Sequence, residues 1–237
     1  GQLKEVLLKE FKTYDSLPVY LVKDWNATFS LNFTTAQDKK LNTKDLYFEP
    51  TLSENNGRQV LSMKLKTSEN TYLEYVYTLP KEGYMLDLVV RSQGLAGAVN
   101  TSKPMNIDWK LQARRMEKSV TYENRYTQAA IQYEGDRINR MSQAGNDEQK
   151  EEKVSWVAYK QHLFTSVLIS DNPFEKGDFV SHNIAMNEGK EVKYTKNFLT
   201  SLPVKAKSGE LSESLHFYFG PSDYNVLKQY NNKYELT

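Results

Sequence analysis

The chain has 237 residues, 39% hydrophobic and 26% charged, enough for a full hydrophobic core as one large domain or two small ones. Lys+Arg 31 against Asp+Glu 30 leave a net charge of +1, which argues against a nucleic-acid or anionic-membrane binder, since either needs a basic surplus. Zero Cys excludes disulfides, thiolate metal sites and cysteine nucleophiles, and no run approaches the ~20 apolar residues of a membrane-spanning helix.

From the N-terminus the dominant pattern is strand. Leu3–Phe11 alternates loosely, and Thr28–Phe33 alternates with period two. Gln59–Lys66 and Tyr72–Leu79 follow, parted by the polar turn Thr67–Asn70, and Pro80–Gly83 reverses the chain into Tyr84–Val90. Ile107–Leu111 reads as a strand, while Tyr122–Tyr133 carries mixed signals. The charged stretch Asn146–Lys153 reads as an exposed loop or mobile insertion. Val154–Ile169 is a long aromatic and β-branched run, either a strand pair or one bent strand. Phe179–Met186, Glu191–Leu199 and Leu202–Lys207 read as three further strands, with a hairpin turn at Asn187–Lys190.

The end of the chain is the most distinctive segment. The aromatic strand Ser214–Phe219 stops at Gly220-Pro221, where Gly tolerates unusual backbone angles and Pro lacks a donor. Ser222 or Asp223 then caps a short helix on which Tyr224, Leu227 and Tyr230 share one face. Many short strands with turn signals and no linker imply one large two-sheet β-sandwich.

A search for chemistry finds no constellation. His162, His182 and His216 lie in separate segments, with no His-x-His or His-x-x-x-His pair to hold a metal. There is no Gly-x-Ser-x-Gly elbow, and Gly94–Gly97 lacks the Lys-Ser/Thr of a phosphate loop. Catalytic, cofactor-binding and metal-binding residues are therefore expected to be none, and the chain is expected not to be an enzyme.

Three segments together resemble the large periplasmic domain of the YidC-type (YidC/Oxa family) membrane protein insertases, in the form found in Bacteroidetes-type bacteria. They are Tyr72–Leu79 followed by Gly83–Leu88; Trp156–Phe164, similar to the family's Trp-x-x-x-x-Gln-x-x-Phe through Trp156, Gln161 and Phe164; and Phe217–Tyr224, which matches the family's strand, Gly-Pro and helix ending. The resemblance implies an all-β fold, a large antiparallel super-β-sandwich (galactose-mutarotase-like) with a short C-terminal α-helix. It implies a single periplasmic domain over 1–237, with the sandwich at 1–219 and the helix at 221–231 leading toward a transmembrane segment absent from this chain. The implied location is the periplasmic side of the bacterial inner membrane.

The implied role is a non-catalytic docking or spacer module for the Sec translocon components SecDF–YajC and SecYEG and for nascent membrane proteins, without cofactors. The helix, through Gly220, Pro221, Tyr224, Leu227 and Tyr230, is the candidate link to the membrane. Its simpler role is to cover its own domain. Family members carry a first strand and a Gly-Gly turn before the segment that Leu3–Leu8 resembles, so Leu3–Phe11 is expected beside an open sheet edge. Two rival readings stand: a carbohydrate-binding or sugar-epimerising sandwich with a His–carboxylate cleft, and a peptide-binding module with an exposed apolar groove of several hundred Å².

Overall fold

The alternating segments fold as antiparallel strands in a computed structural model, which describes residues 1–184 and 192–236. The expected hairpin turn at Asn187–Lys190 lies outside the described residues. Strands β1 (Val6–Lys12) and β2 (Pro18–Val22) form a two-stranded sheet. Among the described residues β1 has β2 on one side and no strand on the other, the open edge expected of Leu3–Phe11.

Among the described residues the larger sheet has 13 strands. Its first half comprises β3 (Ala27–Thr34), β4 (Lys40–Asn42), β5 (Glu49–Asn55), β6 (Arg58–Ser68), β7 (Thr71–Leu79) and β8 (Met85–Gln93). After helix α1 (Leu95–Ala98) come β9 (Met105–Arg114), helix α2 (Val120–Asn124), β10 (Gln128–Tyr133), β11 (Arg137–Arg140) and β12 (Asp147–Lys160). The chain closes with β13 (Phe164–Asn183), β14 (Tyr194–Val204), β15 (Ser212–Pro221) and helices α3 (Tyr224–Lys228) and α4 (Asn231–Tyr234).

β13 turns this sheet into a sandwich. One of its edges carries β12; the other carries β15 along Phe164–Ser170 and β14 along Asp178–Asn183. Between those two stretches lies Pro173, and the register to β12 jumps from Val154↔Phe174 to Trp156↔Ile169. A missing donor and a bulge bend the strand there, sending β14, β9 and β3 into one layer and β15, β8 and β7 into the other.

Aromatic rings fill the space between the layers. Phe217 of β15 meets Phe29 of β3 at 5.3 Å and Trp109 of β9 at 5.6 Å, both edge-to-face. Tyr159 of β12 stacks on Trp109 at 4.1 Å and on Phe198 of β14 at 4.7 Å. Its hydroxyl donates to the Trp109 carbonyl at 2.9 Å and bonds the Thr200 hydroxyl at 2.6 Å, so its polar tip is satisfied inside the core.

Several expectations are corrected. Asn146–Lys153 is not a loop: from Asp147 onward it is the first half of β12, paired with β13 from Asp147↔Ser181 through Glu152↔Lys176. Its charges are tolerated because this ribbon leaves them in contact with water, with Lys150 facing Asp178 across the strands at 3.3 Å. The strands expected at Glu191–Leu199 and Leu202–Lys207 are one strand, β14, whose pairing to β9 runs unbroken through Leu202↔Ile107 and Pro203↔Asn106. Val154–Ile169 is the strand-pair alternative, with a turn at 161–163. Tyr122–Tyr133 separates into α2, capped by the Ser119 hydroxyl accepting from the Tyr122 N–H, and β10.

The boundary expected between sandwich and helix also shifts. Gly220 and Pro221 still pair with Thr165 and Phe164 as the last residues of β15. Proline at a strand's final position forfeits no ladder bond further on. In place of one helix over 221–231 the chain forms α3 and α4, broken at Gln229-Tyr230.

Candidate functional site

The C-terminal helices lie on the outer face of the β15-containing layer. Asp223, rather than Ser222, caps α3: its carboxylate accepts from the N–H groups of Asn225 at 2.8 Å and Val226 at 3.1 Å. Leu227 and Tyr230 then pack on a small second core of Ala130, Trp156, Ala158, Val167, Ile169 and Tyr218. Tyr224, 60% exposed, sits at the edge of that contact. The Tyr230 hydroxyl accepts from the Tyr84 N–H at 3.1 Å, and its ring meets Tyr218 edge-on at 5.4 Å. Tyr218 is fully buried and donates to the Pro221 carbonyl at 2.8 Å, tying the strand end beneath the helix.

Gly220 is required by this packing. A Cβ there would lie 2.7 Å from the Tyr218 hydroxyl and 2.8 Å from Tyr84 Cγ. Gly220→Ala is expected to cost about 1–3 kcal/mol by overpacking, read as a lower urea midpoint. An unchanged midpoint would show that the two tyrosines yield freely.

The three residues Trp156, Gln161 and Phe164 do not form one site. Trp156 faces the outer core under the helices, whereas Phe164 points into the main core and meets Phe11 at 5.2 Å. Gln161 follows β12 in the turn and bonds elsewhere, its amide donating to the Arg114 carbonyl at 2.6 Å and to Glu123 at 3.2 Å. Glu123 is buried, and burial pushes its carboxyl above the usual range. It also accepts from the backbone N–H groups of Met116 and Glu117.

A second cluster centres on His216, 7% exposed on β15. Its Nδ1 lies 2.7 Å from Asp87 and its Nε2 3.0 Å from Asp171, and the Tyr234 ring of α4 covers it at 4.9 Å. A close His–carboxylate arrangement therefore exists, but neither described cavity is lined by His216. With both ring nitrogens engaged and a tyrosine above, no imidazole nitrogen faces an approaching ligand. His162 lies apart, 3.2 Å from Glu117 and flanked by Tyr122 and Tyr126. Among the described residues no group of three or more His, Asp or Glu is arranged to hold a metal.

The hydrogen bond from His216 holds the Asp87 carboxyl below its usual range. A depressed carboxylate stabilises the fold above its unfolded pKa, and that stability is lost as pH falls through the folded value. Asp87→Asn is therefore expected to flatten the loss of stability below the ordinary value of 3.8. Urea unfolding of both proteins across that acid range checks this; parallel curves would overturn it.

An apolar cavity of about 220 Å³ lies near α1, walled by Leu31, Phe33, Leu65, Leu73, Val99 and Met105 among others. Strands of both layers contribute to it, β3 and β9 on one side and β6 and β7 on the other. Sequence does not single out Asp87, Asp171, Tyr84 and Tyr218, because only the strand register, such as His216↔Asp87, brings them to their partners.

Comparisons with known proteins fit this picture. The chain is 33% identical over 236 residues to the membrane protein insertase YidC of Porphyromonas gingivalis, covering 98% of this chain and 36% of that protein. It is 31% identical over 242 residues to the same-named protein of Bacteroides fragilis, covering 100% of this chain and 38% of that one. The chain thus spans little more than a third of the length of these curated relatives. Among solved structures, heparan sulfate lyase HepC from Pedobacter heparinus aligns with TM-score 0.39 and 11% identity over 74% of this chain and 22% of that one. The galactosidase domain of the alpha-galactosidase-sucrose kinase AgaSK aligns with TM-score 0.40 and 8% identity over 97% and 31%. Likeness at that level carries no chemistry across. The YidC periplasmic domain profile, by contrast, matches residues 1–237, and the chain belongs to the YidC periplasmic domain family.

Proposed function

We propose that the chain is a non-catalytic module of a YidC-type insertase on the periplasmic side of the inner membrane. It acts as a docking or spacer domain for translocation partners (SecDF–YajC and SecYEG) and for nascent membrane proteins. The observation that carries this reading is the family match over the whole chain, at about a third of the relatives' length. The clamped C-terminal segment supports a mechanical part: Tyr84, Tyr218 and Tyr230 fix the helices to the sandwich, so that a pull on the C-terminal helices is felt by the sheet.

Leu227→Pro in the full-length protein tests the coupling. It removes the Leu227 N–H bond to the Asp223 carbonyl (3.0 Å) and breaks α3, at about 3 kcal/mol or more. Insertion of membrane-protein substrates is expected to fall several-fold at an unchanged protein level. Normal insertion would refute the coupling. The rival reading, carbohydrate binding, gains nothing from the His216–Asp87–Asp171 cluster, whose ring nitrogens are both engaged; calorimetric titration with galactose tests it, and the absence of a heat of binding removes it.

A further inference from the structure

The helices α3 and α4 do not seal the face they cover. Cross-strand register lays out three rows on that face. Gln128, Lys160 and Thr165 form the first, Arg140, Ala130, Ala158 and Val167 the second, and Ile138, Gln132, Trp156 and Ile169 the third. The two inner positions of the middle row are alanine, between rows that carry Lys160 and Trp156. The floor therefore drops by most of a side chain at the place where Leu227 and Leu236 bridge above it. The resulting cavity has a volume of about 230 Å³, against the roughly 10–15 Å³ that a single water needs.

Its chemistry is specific. Two of its lining residues hold buried polar atoms with no hydrogen-bond partner, the Trp156 Nε1 and the Ser222 Oγ. Trp156 is only 6% exposed, and a buried indole N–H left without an acceptor is costly. No Asp or Glu lines the cavity, yet Arg140 and Lys160 stand exposed at its mouth, in no ion pair among the described residues. The alanines, Ile138, Val167 and the leucines supply an apolar interior.

We propose that this cavity is a binding site for a small amphipathic carboxylate whose apolar body carries a hydrogen-bond acceptor. The carboxylate meets Arg140 and Lys160, the hydrocarbon lies over Ala130 and Ala158, and the acceptor takes the Trp156 indole proton. Two cations outside any ion pair among the described residues, beside a lining that holds no Asp or Glu, ask for an anion, and the orphaned indole N–H asks for an oxygen. The site is separate from the His216 cluster and does not depend on the insertase reading.

The test uses the indole signals of the chain's three tryptophans in nitrogen-15 NMR, with Trp156→Phe assigning its own peak. N-acetyl-L-leucine, which has a carboxylate, an apolar body and an amide oxygen, is titrated in. N-acetyl-L-leucinamide, which lacks the charge, is the control. The expected result is a saturable shift of the Trp156 signal with the acid and a much weaker response with the amide. Arg140→Ala with Lys160→Ala, both at exposed positions, is expected to weaken the acid's Kd by about tenfold or more. A Trp156 signal that does not move, moves without saturating, or responds equally to both compounds overturns the proposal. So does unchanged affinity in the double variant.

Discussion

Phe217→Ala is expected to destabilise the chain by about 3–5 kcal/mol, the range for removing a large aromatic from a packed core. Phe217 is 1% exposed and is where the layers meet: Phe29 and Trp109 contact it from the opposite layer, and Phe219 stacks on it at 5.3 Å from its own strand. The void left behind would be walled by rings on strands already paired on both sides, β3, β9 and β15, so it cannot readily collapse. Urea unfolding should show a lower midpoint with an unchanged slope, because the native state keeps its extent of burial. Tyr224→Ala, at an exposed position beside the same chain end, is expected to stay within about 0.5 kcal/mol. A loss below about 1 kcal/mol for Phe217→Ala would mean that the layers hold together without this contact.

The fold is legible wherever a strand buries one face. Thr28–Phe33, Tyr72–Leu79 and Tyr84–Val90 are rich in aromatic and aliphatic residues whose buried members, Phe29, Leu31 and Phe33, Leu73, Tyr75 and Tyr77, Leu88 and Val90, stand two apart, and they fall in strands β3, β7 and β8. The pattern fails where that condition fails. Every residue of β5 is exposed, so its sequence carries no period, and the charged half of β12 looks like a loop for the same reason. Pro203 invites a break in β14, but its alternation and pairing continue past it. The bend in β13 is hidden because it depends on which strands share its edges, a property of several distant segments at once.

The site divides in the same way. Spacing alone places Leu227 and Tyr230 on one packing face, and the Asp223 cap follows from local chemistry. The surface beneath the helices comes from several other strands, and the alanines that leave a hollow there attract no notice in sequence. His216 stands between Leu215 and Phe217 on its strand and is buried beneath the Tyr234 ring. Its carboxylate neighbours stand 129 and 45 residues away along the chain, so their approach is a product of register. Gln161 stands out only through a motif, and the reason for it is Glu123.

Glu123→Ala should therefore be the second most damaging change. The buried carboxylate accepts from three donors, the N–H groups of Met116 at 3.2 Å and Glu117 at 3.3 Å and the Gln161 amide at 3.2 Å. It fastens the start of α2 and the segment after β9 to the end of β12. Removing it leaves each donor to find another acceptor, at roughly 1–3 kcal/mol apiece where water cannot reach, so a total of roughly 3 kcal/mol or more is expected. The effect must depend on pH. Burial raises the Glu123 pKa above the ordinary 4.5, so the folded state holds its proton more tightly than the unfolded state does. Its contribution is then fully present below 4.5 and declines as pH rises through the raised folded value. The stability gap between wild type and Glu123→Ala should narrow over that rise and level off above it. Gln161→Leu, which keeps the two backbone donors satisfied, should cost less at every pH. Urea unfolding of the three proteins from acid to neutral pH measures all of this. A gap that widens with pH would mean that the carboxylate is favoured in its charged form, and that the three donors outweigh its burial.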